Sequence, residues 1–114
     1  MRVLIVEDNP TICQMMHRIV SPLAEAVYEC ADGAQALTAY QTHQPDVVLM
    51  DIALGAADGI TATRRIRAAA PTARIIIVTM YDEPDLREAA QAAGACGYVL
   101  KENLLEVRQW LAQQ

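Results

Sequence analysis

The amino-acid sequence predicts an α/β protein built on a five-stranded parallel sheet. Short runs rich in β-branched residues alternate five times with segments that have helical periodicity, all within 114 residues. The first, third and fourth of these runs are apolar throughout, as expected of strands that helices cover on both faces. Because crossovers between parallel strands are right-handed, we expect a doubly wound open sheet in so short a chain.

The first unit has an apolar strand at residues 3–6, followed by Glu7-Asp8-Asn9 and Pro10. A proline in the first helical position, after an Asp or Asn cap, predicts the start of a helix. Five apolar residues then recur with helical spacing and predict one buried stripe: Ile12, Met15, Met16, Ile19 and Val20.

The second and third units repeat this pattern. Ala26–Cys30 is the second predicted strand, and the helix opened by Asp32-Gly33 ends at Pro45-Asp46. Val47–Met50 is the third predicted strand, and the helix after Asp58-Gly59 covers about residues 60–70.

The fourth and fifth units complete the sheet. Residues 74–78 form the predicted fourth strand, and residues 82–93 the fourth helix, with Gly94 as its C-cap. Gly97–Leu100 is the fifth predicted strand, and residues 103–112 form the last helix, with Leu104, Val107 and Leu111 facing inward.

Composition excludes several function classes. Nine basic and fourteen acidic residues give a net charge of −5, which disfavours nucleic-acid binding by this domain. The basic run at residues 64–67 is interpreted as a solvated helix face. No apolar run approaches the ~20 residues of a membrane span, and the early acidic residues argue against a signal peptide. Three scattered cysteines predict reduced core thiols in a cytoplasmic protein.

Polar residues follow four of the five predicted strands. They come at the carboxyl ends, where ligands bind in doubly wound folds. These residues are Glu7, Asp8, Asp51, Thr79 and Lys101. Taken singly, each has a bland interpretation: a helix cap, a structural hydroxyl or a surface lysine. Taken together, clustered carboxylates without His or Cys predict a Mg²⁺ or Mn²⁺ site, and the hydroxyl and ammonium group would bind an anion.

The same strand ends carry motifs that resemble the receiver domain of two-component response regulators. The matching segments are Val6-Glu7-Asp8-Asn9, Val48-Leu49-Met50-Asp51, Asp58-Gly59, Val78-Thr79 and Gly97-Tyr98-Val99-Leu100-Lys101. Within that family, residues 79–82 and 94–101 look most similar to LuxR/NarL-type regulators. The resemblance covers the whole chain and implies one receiver domain over residues 1–114, with a flavodoxin-like strand order of 2-1-3-4-5.

The resemblance also implies a role for each site residue. Asp51 would accept a phosphoryl group from a sensor histidine kinase, a histidine phosphotransfer protein or a small acyl phosphate. Asp8, Asp51 and the Ala53 carbonyl would ligate Mg²⁺, with Glu7 acting through bound water. Lys101 would balance phosphoryl charge. Thr79 and Tyr98 would form a switch that changes the face made by the fourth helix, fifth strand and fifth helix. Such a protein is a signalling domain that promotes its own phosphorylation and dephosphorylation, rather than an enzyme acting on a separate substrate.

Three positions depart from the family pattern. Gly55 stands where a proline is usual, which should loosen the loop after Asp51. Met80 replaces a small residue and should narrow access to Asp51, while Tyr81 beside it should shield an acyl phosphate from water. Glu102 stands where a proline usually follows the lysine, so a cis peptide bond is not expected there.

Three alternative functions stay open at this stage. A flavodoxin-like FMN binder should have a Ser/Thr/Gly-rich loop after the first strand, which the acidic residues 7–9 contradict. A dehalogenase-type phosphatase should show D-x-D, but Ile52-Ala53 follows Asp51. A pseudo-receiver would lack an intact acidic set. As for output, we expect a piece of a DNA-binding regulator rather than a stand-alone receiver, with homodimerisation on phosphorylation.

Overall fold

The computed structural model describes residues 1–53 and 58–113 of the chain. Five strands make up the sheet: β1 Arg2–Val6, β2 Ala26–Cys30, β3 Val47–Met50, β4 Ile75–Thr79 and β5 Gly97–Leu100. Five α-helices connect and follow them: α1 Pro10–Val20, α2 Ala36–His43, α3 Gly59–Ala69, α4 Pro84–Ala93 and α5 Val107–Ala112. Short 3₁₀ turns occur at Ser21–Leu23, Gly33–Gln35 and Lys101–Glu106.

All strand pairs are parallel, in the order β2-β1-β3-β4-β5. The predicted fold class and strand order are therefore confirmed. The register pairs Val6 with Met50 and Thr79 with Leu100, so β1 ends level with β3, and β4 ends level with β5. Because Met50 pairs with Ile77, β4 extends two residues beyond β3. The residues that follow these strands consequently share one edge of the sheet.

Alternate strand residues enter two separate apolar layers. Val3 and Ile5 face the layer closed by α1 and α5, whereas Leu4 and Val6 face the layer closed by α2, α3 and α4. Every residue of β3 and β4 is buried, as the unbroken apolar runs predicted. The sheet is thus covered on both faces and presents the strand ends as its polar edge.

Side-chain caps fix where the helices nearest that edge begin. Asn9 Oδ1 accepts hydrogen bonds from the backbone N–H groups of Thr11 and Ile12 at 2.9 and 3.1 Å. Asp58 Oδ1 accepts one from Thr61 N at 2.7 Å. Each cap satisfies helix N–H groups that have no intrahelical partner, and so fixes the residue at which its helix begins. As a result, α1 and α3 start directly beside the strand ends.

The last helix differs from its prediction. A single helix over residues 103–112 was expected, but a 3₁₀ turn winds directly from Lys101, and Asn103 breaks it with φ −124° and ψ 44°. Asparagine competes with helical hydrogen bonding and favours turns, which explains the break. Only residues from Val107 onward are α-helical, although Leu104, Val107 and Leu111 are buried as predicted.

Two burial predictions also need correction. Met15 is 43% exposed, and Cys13 takes its place on the buried face of α1 with Met16 and Val20. Of the three cysteines only Cys13 is a core thiol, since Cys30 is partly buried and Cys96 is exposed. Cys96 precedes β5, where its backbone N–H donates to the Ile75 carbonyl.

The described helices include none with the length and apolar character needed to cross a membrane. Gly55, where we predicted a loosened loop, lies outside the described residues.

Candidate functional site

Three carboxylates meet at the carboxyl edge of the sheet. One oxygen each of Glu7, Asp8 and Asp51 lies within 4.8 Å of the other two. Backbone hydrogen bonds set this geometry, since Asp51 N donates to the Val6 carbonyl and Glu7 N to the Cys30 carbonyl, both at 3.0 Å. Glu7 and Asp51 are each 2% exposed, whereas Asp8 is open to solvent. The cluster is therefore a mostly buried acidic pocket with one accessible side.

Lys101 supplies the positive charge closest to this pocket. Its Nζ lies 2.8 Å from Glu7 Oε1 and 3.1 Å from Asp51 Oδ2, and the side chain is 15% exposed. Burial alone would lower the pKa of Lys101, but the hydrogen bonds and charges of Glu7 and Asp51 outweigh it and raise that pKa. One ammonium group thus faces three carboxylates, and the pocket is short of positive charge.

Glu7 is a carboxylate of this pocket whose pKa is raised. Burial raises the pKa of Glu7, the contacts with Lys101 and with the Asn9 N–H lower it, and the charge of Asp51 raises it again, for a net increase. Its Oε2 accepts the Asn9 N–H at 3.1 Å. Its Oε1 is fully buried and has only the Lys101 ion pair, without a well-directed hydrogen bond from the described residues. Because a carboxylate oxygen has a second lone pair, Glu7 Oε1 can also bind a cation or a cation-bound water beside Lys101.

Asp51 is supported by the segment that follows it. Its Oδ1 accepts the Ala53 N–H at 3.3 Å, and Gly59 N donates to the Ile52 carbonyl at 2.8 Å. A Cβ on Gly59 would lie 1.8 Å from the Asp51 carbonyl oxygen, so no other residue fits without moving Asp51. The sequence showed Asp58-Gly59 as a motif, but only the structure reveals that α3 begins in contact with the Asp51 backbone.

Thr79 and Tyr98 are linked through the backbone of Tyr81. Thr79 is fully buried, and its Oγ1 accepts the Tyr81 N–H at 3.3 Å. The Tyr98 hydroxyl donates to the Tyr81 carbonyl at 2.7 Å. Burial raises the pKa of Tyr98, the charge of Arg87 lowers it, and Asp82 and Glu83 raise it, for a net increase. The structure therefore connects the two predicted switch residues, although they do not touch directly.

Two residues around Tyr98 were missed by sequence reasoning. The Arg87 guanidinium lies 4.4 Å above the centre of the Tyr98 ring, and its Nε pairs with Asp82 Oδ1 at 2.6 Å. Both side chains are about half exposed. The charged residues at and before the start of α4 therefore predict only a solvated surface. No sequence signal distinguishes them from other surface charges.

The remaining predicted positions lie at the rim. Ala53 is exposed beside Asp51, which is compatible with the expected carbonyl ligand. Met80 is 67% exposed and Tyr81 is 41% exposed, so both side chains reach solvent beyond Thr79.

The donor set fits a hard divalent cation. Its three side chains offer only carboxylate oxygens, which suits Mg²⁺ or Mn²⁺ and not a metal that prefers nitrogen or sulfur. The charge imbalance and the incompletely bonded Glu7 Oε1 favour the same conclusion. Asp8, the exposed member, leaves room for the several waters that Mg²⁺ usually keeps.

Comparison with known proteins agrees with this geometry. The family model described as the response regulator receiver domain matches residues 3–109. A protein-glutamate methylesterase/protein-glutamine glutaminase from Anaeromyxobacter dehalogenans is 45% identical over 98 residues, which cover 82% of this chain but 28% of that protein. The chemotaxis protein CheY of Halobacterium salinarum is 33% identical, with 88% of this chain and 83% of that protein covered.

The solved structures include a LuxR-family two-component response regulator from Aurantimonas. It is 32% identical, has a TM-score of 0.86, and the match covers 99% of this chain and 86% of that one. The LuxR/NarL resemblance seen in the sequence thus has a structural counterpart. The chain spans little more than a quarter of the methylesterase that it matches. By its fold, its strand-end residues and this family match, the chain belongs to the response regulator receiver domains of two-component signalling.

Proposed function

We propose that the chain, over residues 1–114, is a Mg²⁺-dependent phosphoacceptor whose nucleophile is Asp51. The observation that carries this proposal is the buried Asp51 carboxylate, paired with Lys101 Nζ at 3.1 Å and clustered with Glu7 and Asp8. Two buried carboxylates and an exposed one face a single ammonium group, and a bound cation would offset this excess of negative charge while Lys101 pairs with an anion.

Asp51 would react as an oxygen nucleophile. Its carboxylate attacks the phosphorus of a phosphohistidine on a sensor histidine kinase or histidine phosphotransfer protein. A P–O bond forms, the P–N bond breaks, and the imidazole leaves and takes up a proton. With an acyl phosphate as donor, the carboxylate of that donor is the leaving group. Positioning and charge compensation dominate the catalysis of such transfers.

The surrounding residues have distinct parts. Glu7, Asp8, Asp51 and the Ala53 carbonyl would hold Mg²⁺, directly or through water, and Mn²⁺ suits the same donors. The bound cation would offset the charge that repels an incoming phosphoryl group. Lys101 would pair with a phosphoryl oxygen after leaving Asp51 Oδ2, and Thr79 would donate its hydroxyl to another. The side chain of Lys101 is long enough to follow the charge because it is only partly buried.

Phosphorylation would then change the surface of α4, β5 and α5. Movement of the Thr79 hydroxyl toward the phosphoryl group would break its bond with Tyr81 N, and the Tyr98 side chain would turn inward. The physical support is the chain of hydrogen bonds from Thr79 to Tyr98 through Tyr81. Such a change biases two states that already exist, and needs only a few kcal/mol of differential binding.

We further propose that the output is control of transcription, in the cytoplasm and through homodimerisation. The likeness to the Aurantimonas LuxR-family regulator supports this output. The 33% identity to the chemotaxis protein CheY of Halobacterium salinarum supports a rival output in chemotaxis-type signalling. In either case the acidic charge of this domain argues against direct DNA contact.

The decisive experiment is intact-protein mass spectrometry after incubation with acetyl phosphate and Mg²⁺. We expect the mass of one phosphoryl group to be added, and none to be added in the presence of a chelator or in Asp51→Asn. Asp85→Asn, an exposed carboxylate on α4, is the matched control and should be phosphorylated normally. Phosphorylation of Asp51→Asn to the same extent as the parent protein would overturn the proposal.

A further inference from the structure

The turn between β1 and α1 carries two of the three carboxylates of the acidic pocket, Glu7 and Asp8. Hydrogen bonds close this turn at both ends. Glu7 N donates to the Cys30 carbonyl at 3.0 Å, which ties the start of the turn to β2. Asn9 N donates to Glu7 Oε2 at 3.1 Å, which holds the Glu7 side chain against the end of the turn. Asp8 therefore lies between two residues whose backbone N–H groups are both fixed.

The side chain of Asn9 controls the second of these closures. Its Oδ1 accepts from Thr11 N at 2.9 Å and from Ile12 N at 3.1 Å, and its carbonyl accepts from Cys13 N at 2.9 Å. Its backbone is extended, with φ −86° and ψ 115°, as expected of a helix N-cap and of a residue that precedes a proline. These contacts fix the backbone of Asn9 and so hold its N–H toward Glu7.

The bond from Asn9 also determines which oxygen of Glu7 faces Lys101. Because Oε2 accepts the Asn9 N–H, Oε1 is the oxygen that lies 2.8 Å from Lys101 Nζ. Oε1 is fully buried and has no well-directed hydrogen bond from the described residues, so its remaining lone pair is available to a cation or a cation-bound water. Groups that orient a metal ligand raise metal affinity, because the ligand then loses less freedom when the metal binds.

We propose that Asn9 is a positioning residue for Mg²⁺, because its cap on α1 holds Glu7 and Asp8 in the arrangement that binds the cation. This inference rests on the proposed function and deepens it, since it assigns metal affinity to a side chain that is not itself a ligand. Asn9 is exposed, so its substitution leaves no cavity in the core.

The first test compares the Mg²⁺ affinities of unphosphorylated proteins, from backbone amide resonances in ¹⁵N–¹H NMR spectra during titration with MgCl₂. We expect Asn9→Ala to bind Mg²⁺ about tenfold more weakly than the parent, at the low end of the loss that follows removal of a group orienting a metal ligand. Asn9→Ser keeps a cap oxygen and should bind within about twofold of the parent. If Asn9→Ala does not fold, Asn9→Gly takes its place, because glycine lacks the cap oxygen but is tolerated better at an N-cap.

Ser21→Ala is the matched control, and it separates ligand positioning from helix stability. Ser21 Oγ donates to the His17 carbonyl at 2.6 Å, at the opposite end of α1 from the acidic pocket. Its removal weakens the same helix and changes no charge. We expect both Asn9→Ala and Ser21→Ala to lower the melting temperature, but only Asn9→Ala to weaken Mg²⁺ binding. Equal weakening in the two variants would mean that Asn9 acts through helix stability alone, and would overturn the proposal.

A second readout needs no metal. The amide proton of residue 9 donates to a carboxylate, so its resonance should lie downfield and shift little with temperature in the parent and in Asn9→Ser. Both properties should be lost in Asn9→Ala. An amide that keeps them in Asn9→Ala would show that the cap does not hold this hydrogen bond, which contradicts the proposed mechanism.

Phosphorylation by acetyl phosphate at varied Mg²⁺ separates this inference from the proposed function. Asn9→Ala should need about tenfold more Mg²⁺ for half of its maximal rate, yet reach nearly the parent rate at saturation. A parent protein that binds Mg²⁺ but is not phosphorylated at Asp51 overturns the proposed function and leaves the role of Asn9 to the affinity comparison. A phosphorylated parent with an Asn9→Ala variant of equal Mg²⁺ affinity overturns the role of Asn9 alone, and a parent without Mg²⁺ affinity overturns both.

Discussion

Asp51→Asn should make the metal-free protein more stable while it abolishes phosphorylation. Carboxylate oxygens within 4.8 Å of one another repel by about 3 kcal/mol per pair at an effective dielectric constant near 20. Asp51 has two such neighbours. Its ion pair with Lys101 at 3.1 Å contributes about 5 kcal/mol of attraction at the same dielectric constant. Asparagine removes both contributions, keeps the shape of the side chain and leaves Lys101 paired with Glu7. The balance favours the variant by about 1–2 kcal/mol.

The assay is thermal or urea unfolding with and without Mg²⁺. In chelator we expect Asp51→Asn to melt several degrees above the parent, since about 1 kcal/mol corresponds to roughly 4 °C or more in a domain of this size. Mg²⁺ should raise the melting temperature of the parent and narrow the gap, because a ligand that binds only the folded state stabilises it. Asp85→Asn should stay within about 0.5 kcal/mol of the parent. A metal-free Asp51→Asn less stable than the parent would refute the charge argument.

Further predictions concern the support of the site and the thiols. Gly59→Ala should lower stability by about 1–3 kcal/mol and slow phosphorylation, since a Cβ 1.8 Å from the Asp51 carbonyl must displace that strand end; normal rates and unfolding would contradict this. Thiol labelling near pH 8 should modify Cys96 quickly and Cys13 slowly, because burial, followed by the Glu29 charge, raises the pKa of Cys13 from 9.0 to about 11. The unfolded Cys13 thiol ionises first as pH rises, so its contribution to stability should be complete below about pH 9 and lost by about pH 11, an alkaline decline that Cys13→Ala should reduce. Tyr81→Ala should shorten the lifetime of the phosphorylated protein, measured by loss of the phosphoryl mass, and an unchanged lifetime would count against shielding by this ring.

The sequence was sufficient for the architecture. Unbroken apolar runs predicted β3 and β4, Pro10 after an Asp or Asn cap predicted the start of α1, and Gly94 predicted the end of α4. These signals are local, and tertiary packing did not override them. Parallel strands that end within two residues of one another then place Asp51 and Lys101 at one edge, so the candidate site also follows from the order of the strands.

What could not be predicted depends on contacts between distant segments. The close approach of Gly59 to Asp51 and the stacking of Arg87 on Tyr98 involve residues that are eight and eleven positions apart, in different elements. The same applies to the 3₁₀ turn after Lys101, where helical periodicity continues through residues that are not α-helical. Periodicity identifies which residues are buried, but not how tightly the backbone winds between them.

Asp51 is the residue that we propose to carry the phosphoryl group. The most direct measurement is to phosphorylate the protein with acetyl phosphate and Mg²⁺, reduce it with borohydride, which converts an acyl phosphate to the alcohol, and sequence the peptides by mass spectrometry. We expect reduction at Asp51 alone, dependent on Mg²⁺ and absent without acetyl phosphate. Reduction at Asp8, Glu7 or another carboxylate, or a phosphoryl group that survives borohydride on a hydroxyl side chain, would contradict the account.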